Sequence, residues 1–182
     1  MKSESVIDRQ ILFELDIRGS KVVRRNRPML ELMGLSIKIT PNLVKDYNEY
    51  RQEEYNQYRE MIQSQITRFD DYLTLDKFSR RLLIQFPADW YDDKPEDYMP
   101  CPESFMVQYI NEDLYNISIN FRSTEFSRYS EDISIIKDLC RKELVLPGVI
   151  HEINVHFMNI HKYLDEGSSE DFDVTKGYFD KK

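Results

Sequence analysis

Strand-like and helix-like segments succeeding one another along 182 residues predict a single α/β domain. Two observations carry that reading. Period-two segments recur: Leu35, Ile37 and Ile39 alternate with Ser36 and Lys38, and Ile117, Ile119 and Phe121 alternate with Asn116, Ser118 and Asn120. Elsewhere apolar residues return every three or four positions, the spacing of a one-sided helix. Hydrophobic residues at 41% and aromatics at 13% are enough for the chain to fold around a core. No internal repeat or second domain is visible. The domain is placed at residues 1–165, with a polar, acidic tail at 166–182.

Taken in order, Ile11 to Ile17 (ILFELDI) reads as a short strand, and Arg18 to Pro28 as a basic loop. Met29 to Thr40 is extended. Pro41 changes the regime, and Asn42 to Arg68 reads as a helix whose apolar face holds Leu43, Tyr47, Tyr50, Tyr55, Tyr58, Ile62 and Ile66. Arg80 to Pro87 (RRLLIQFP) reads as a buried strand, followed by an Asp- and Pro-rich loop to Pro102. SFMVQYI and LYNISINFR are two strands joined by a hairpin at Asn111–Asp113. The second has a polar face that ends in Arg122. Ser130 to Leu144 reads as a helix with Ser130 as N-cap and Ile133, Ile136, Leu139 and Cys140 inward. Gly148 to Tyr163 is a last long strand and turn.

Bulk properties narrow the function. A formal net charge of −8 disfavours non-specific nucleic-acid binding, which needs a basic face. Only 5 glycines argue against a glycine-rich phosphate loop. The 2 cysteines, Cys101 and Cys140, fit a reducing cytoplasm and no disulfide framework. No stretch approaches the roughly 20 apolar residues of a membrane span. His151, His156 and His161 are spaced so that they alternate faces on a strand, without zinc-ligand spacing, so no metal site is expected.

Cys101 stands between Pro100 and Pro102, just ahead of a strand, with Arg122 at the end of the next strand. From the residues alone it is either a packed thiol or a nucleophile whose thiolate a nearby cation favours. The surrounding segments occur in a suggestive order: FSRRLLIQF, then Pro-Cys, then FRSTEF, EDISIIKDL and NIHKYLD. This order resembles the thymidylate synthase family, which includes the dCMP and CMP hydroxymethylases. VRRNRPMLELMGLSIKITPN is similar to its short phage- and archaeal-type branch. The resemblance runs from about Lys21 to Tyr163.

That resemblance implies a thymidylate synthase-like α/β domain: a mixed, largely antiparallel sheet with one face on helices and the other against a twofold partner, a homodimer. It implies a pyrimidine nucleoside monophosphate as substrate and 5,10-methylenetetrahydrofolate as cofactor. Cys101 would add to C6 of the pyrimidine and make C5 nucleophilic. Arg25, Arg122 and Ser123 match phosphate-binding positions, and guanidinium groups suit phosphate oxygens. Arg80 and Arg81 match the pair that reaches the partner subunit's phosphate. His161 and Tyr163 match the pair that hydrogen-bonds the sugar 3′-hydroxyl. Arg27 is assigned to the solvated loop, though it could replace Arg25.

Asp132 stands, one residue early, where the synthases have an asparagine and the cytosine-specific hydroxymethylases an aspartate. A carboxylate accepts from the cytosine amino group, and uracil has no such donor. The plainer alternative is a first-turn carboxylate favoured by the helix dipole. Glu125 replaces the family's aspartate. The Glu-Leu-Leu-Trp-like stretch is not found: Glu49, Glu53 and Glu54 are available, but no motif selects one, and Trp90 lies elsewhere. The folate-closing C-terminal tail is expected to be missing. The favoured reading is a dCMP or CMP hydroxymethylase. Its alternatives are a nucleotide-binding relative that completes no reaction, and a thymidylate synthase acting on dUMP.

Overall fold

Residues 5–24, 27–44, 52–79, 82–86 and 101–164 are described by a computed structural model. Its helices are α1 (Val6–Arg18), α2 (Gln52–Leu75) and α3 (Tyr129–Lys142). Its strands are β1 (Ser20–Arg24), β2 (Arg27–Ile39), β3 (Leu83–Gln85), β4 (Pro102–Tyr109), β5 (Leu114–Phe121), β6 (Thr124–Glu125) and β7 (Val149–Tyr163). Among the described residues these make one seven-stranded sheet in the order β1-β2-β7-β5-β4-β3, with β6 also beside β7. β7 runs parallel to β5 and β6, and every other pairing is antiparallel. The expected mixed, largely antiparallel sheet with helices is therefore present.

Alternation along the strands makes the core. Leu35, Ile37 and Ile39 from β2, Ile153, Val155 and Phe157 from β7, and Ile117, Ile119 and Phe121 from β5 are buried on one face. The rows facing the other way are polar: Ser36 and Lys38, Asn154 and His156, Asn116, Ser118 and Asn120. Ser36 Oγ and His156 Nδ1 are 2.7 Å apart, and Asn120 donates to Ser104 Oγ at 3.0 Å. Across the core, Tyr58 of α2 meets Phe86 edge-on at 5.1 Å, and Tyr129 of α3 meets Phe157 at 5.9 Å. Every residue of α3 from Asp132 to Cys140 is buried, so its first turn delivers polar groups into the interior.

Several elements differ from the sequence reading. Ile11 to Ile17 is helical, not a strand. Ser5 Oγ accepts from the Asp8 N–H at 3.0 Å and Asp8 Oδ2 accepts from the Ser5 N–H at 2.7 Å, a reciprocal cap. Ile7, Ile11 and Leu15 then fall on one buried stripe, while Phe13 and Ile17 remain exposed. The basic loop is largely the β1–β2 ribbon, paired from Ser20↔Glu31 to Arg24↔Arg27. Pro41–Leu43 is a short 3-10 turn with Leu43 exposed, and α2 extends to Leu75 with Tyr55, Tyr58, Met61, Ile62 and Phe69 buried. Tyr47 and Tyr50 lie outside the described residues. Helix α3 starts at Tyr129, its N-cap is Arg128, and Ser130 lies inside the first turn. The hairpin at Asn111–Asp113 and the inward set Ile133, Ile136, Leu139 and Cys140 stand as read.

Candidate functional site

Strand order brings the sequence-predicted residues toward one end of the sheet. β4 and β5 are neighbours, and the Arg122 N–H donates to the Cys101 carbonyl at 3.2 Å. Thus Cys101 enters β4 where Arg122 leaves β5. Two residues on, β6 pairs with β7, Thr124 opposite Ile160 and Glu125 opposite His161. The Phe126 N–H then donates to the His161 carbonyl at 2.7 Å. The Cys101 sulfur lies against Thr124 and the backbone of Glu125, so β6 links the thiol to the His161 end of β7.

Cys101 is half-buried. Burial, with the neighbouring Asp132 carboxyl, pushes its thiol up to about 11. The Thr124 hydroxyl, the Arg128 charge and the Glu125 backbone N–H act in the other direction. Arg128 is a cation whose charge acts on this sulfur.

Asp132 is the most constrained group of the site, with 4% of its surface exposed. Its Oδ1 accepts from the Tyr58 hydroxyl at 2.7 Å, a bond between α2 and α3. Its Oδ2 is buried and has no hydrogen-bond partner among the described residues. Burial pushes the carboxyl up to about 7, even though the Tyr58 hydroxyl and Arg128 favour its ionised form. Arg128 is one helical turn earlier, the Asp132 N–H donating to its carbonyl at 3.3 Å. Its guanidinium is also 3.5 Å from Glu54 Oε1. Of Glu49, Glu53 and Glu54, Glu54 is therefore the one joined to this cluster, while Glu53 is exposed and Glu49 lies outside the described residues.

His161 and Tyr163 stack edge to face at 5.4 Å, and the Arg27 guanidinium lies 3.6 Å from the centre of the Tyr163 ring. Arg27 is thus an exposed strand residue set over the Tyr163 ring rather than a loop residue. Burial pulls the His161 imidazole down, against Glu125 and Glu31, which leaves a neutral ring able to donate and accept. Ser123 is exposed at the turn between β5 and β6. Arg25, Arg80 and Arg81 lie outside the described residues.

Sequence reasoning missed the roles of Tyr58, Arg128, Thr124 and Glu54 in this cluster. Tyr58 was visible only as one member of an apolar stripe. Arg128 carried a usable signal, since a cation four residues before a helical aspartate shares its face. No described helix is long and apolar enough to cross a membrane. No known family model matches this chain, and no curated protein matches it.

Proposed function

We propose that this protein binds a pyrimidine nucleoside monophosphate and transfers a one-carbon unit to C5, most simply as a dCMP or CMP hydroxymethylase. The observation that carries the reading is the pairing of Cys101 with Asp132: a half-buried thiol beside a buried carboxyl that has one oxygen without a partner. Adding the Cys101 thiolate to C6 moves an electron pair to C5 and makes it the nucleophile; once C5 carries its new carbon, the C5 hydrogen leaves as a proton and elimination of the thiolate from C6 restores the ring. Asp132 Oδ2 accepts from the exocyclic amino group of cytosine. His161 and Tyr163 hydrogen-bond the sugar, and Arg122, Ser123, Arg25 and the Arg80–Arg81 pair hold the phosphate, the last two from the partner of a sheet-face homodimer. A cytoplasmic location accords with this chemistry.

5,10-Methylenetetrahydrofolate supplies the carbon in this reading. The groups gathered at Cys101 are Thr124, Arg128 and Asp132, a polar set matched to a nucleotide rather than to a pterin ring. No residue is therefore assigned to the folate and no step is derived from it.

A second reading has its own support. With the thiol held at about 11, only about one Cys101 in 10,000 is ionised at pH 7. A site in that state binds without reacting unless the ligand itself favours the thiolate, which fits a nucleotide-binding relative that sequesters its ligand. The test is tritium release from C5-labelled dCMP and dUMP, with and without methylenetetrahydrofolate, for the wild type and Cys101→Ser. Release from dCMP, abolished by Cys101→Ser, is expected. Release from dUMP alone would favour a thymidylate synthase, and tight binding of either nucleotide without release would favour the binder.

A further inference from the structure

Asp132 raises a question that its own position does not answer. A carboxyl that reads a base must present one defined oxygen in one protonation state, or it will take both cytosine and uracil. An ionised oxygen accepts from the cytosine amino group and repels the uracil carbonyl. A protonated carboxyl can donate to that carbonyl instead. Selectivity therefore belongs to whatever fixes the carboxyl.

The groups facing Asp132 come from three elements. From α2 come Tyr58 and Glu54, from the α3 entry and first turn come Arg128 and Glu131, and at the start of β4 stands Cys101. Of these, only Tyr58 and Arg128 favour the carboxylate. Tyr58 does so by a direct bond, 2.7 Å, from a buried hydroxyl on a ring held by Phe86. Arg128 does so from one turn earlier, while its guanidinium also approaches Glu54 at 3.5 Å. The second oxygen of Asp132 is buried with no hydrogen-bond partner among the described residues. Leaving a buried acceptor unsatisfied is costly, and a donor on a bound ligand would remove that cost.

We propose that Tyr58 and Arg128 are the positioning residues that determine base choice, Tyr58 occupying Oδ1 and Arg128 supplying the countercharge, so that Asp132 Oδ2 is left as a lone acceptor for an exocyclic amino group. This rests on the nucleotide reading above and adds to it two residues outside the family motifs. It also makes the preference depend on pH. Cytosine nucleotides are favoured above the titration of Asp132, and the advantage shrinks below it.

The experiment compares wild type, Tyr58→Phe, Arg128→Met and Asp132→Asn. The side-chain carboxyl of Asp132 is followed by carbon NMR in ligand-free protein, its resonance identified by its loss in Asp132→Asn. Binding of dCMP and dUMP is measured by calorimetry from about pH 5 to about pH 9. In the wild type the carboxyl should titrate near 7. Tyr58→Phe removes the hydroxyl but keeps the ring that packs on Phe86. It should move the titration to higher pH and reduce the dCMP-over-dUMP preference about tenfold at neutral pH. Arg128→Met should act in the same direction, so the test survives if either variant fails to fold. A wild type that prefers dCMP, with both variants keeping the same preference and titration, would overturn this inference alone. A wild type that binds neither nucleotide would overturn the nucleotide reading and this inference together.

Discussion

Replacing Asp132 with asparagine should stabilise the folded protein at alkaline pH. The carboxyl is 4% exposed, has one hydrogen-bond partner among the described residues, and is pushed from 3.8 up to about 7 by burial. Each tenfold change in proton affinity is worth about 1.4 kcal/mol, so keeping Asp132 ionised in the folded state costs about 4 kcal/mol. The direction follows from proton counts. Between the unfolded and folded values the native state binds the extra proton, so the contribution of Asp132 to stability is full below about 4. It falls as pH rises to about 7 and stays low above that. Asparagine has the same shape and carries no charge. Urea unfolding at about pH 8 should show Asp132→Asn more stable than wild type by about 2–4 kcal/mol, the lower figure allowing for imperfect amide bonding. At about pH 4 the two should coincide within about 1 kcal/mol. An asparagine variant less stable than wild type at pH 8, or a difference that ignored pH, would refute the account of Asp132 as a carboxyl ionised at a cost.

Three other outcomes follow from the geometry. Alkylation of Cys101 by iodoacetamide should be slow at neutral pH and rise about tenfold per pH unit through pH 9 without levelling off, since its thiol lies at about 11; a plateau near neutrality, read by mass spectrometry, would contradict the thiol form. Val145, 71% exposed just after α3, has φ of 44°, so Val145→Gly should raise stability by up to about 1 kcal/mol in thermal unfolding. Gly148 has φ of 91° and a Cβ there would sit 2.5 Å from the Asp113 carbonyl oxygen, so Gly148→Ala should destabilise by about 2–4 kcal/mol by loosening the start of β7 from the neighbouring β4–β5 hairpin.

The sheet was the legible part of this fold, because a half-buried strand writes its two faces into alternate residues. Asn116, Ser118 and Asn120 against Ile117, Ile119 and Phe121 predicted β5, and the short polar step at Asn111–Asp113 predicted its pairing with β4. Helix α1 was misread because Ile11, Phe13, Leu15 and Ile17 mimic strand alternation. The deciding information lay upstream in the Ser5–Asp8 cap and in the four-residue steps Ile7, Ile11, Leu15. The site divides in the same way. Cys101, Asp132, His161 and Tyr163 were picked out by type and order. Tyr58 could not be, because its bond to Asp132 spans 74 residues and exists only once α2 lies over α3. A tyrosine in an apolar stripe gives no sign of where its hydroxyl points.

A carboxyl kept ionised at a cost to stability, as Asp132 is, reports on its ligand through protons. In the ligand-free protein burial pushes the carboxyl up to about 7. On the proposed reading a cytosine amino group meets Oδ2, stabilises the carboxylate and lowers that value. Binding of dCMP at about pH 6 should therefore release up to about one proton. Uracil works in reverse. Its carbonyl needs the protonated acid, so dUMP should hold the proton on, with net uptake at about pH 8. Calorimetry in two buffers of different ionisation enthalpy reads this exchange, and the same measurement on Asp132→Asn subtracts the protons that the nucleotide phosphate releases. Tyr58 shifts the pH at which the exchange occurs, not its sign, so Tyr58→Phe should displace the release toward higher pH. Proton uptake on dCMP binding would mean that the base is read by another group, and that the buried carboxyl serves only the packing of α2 on α3.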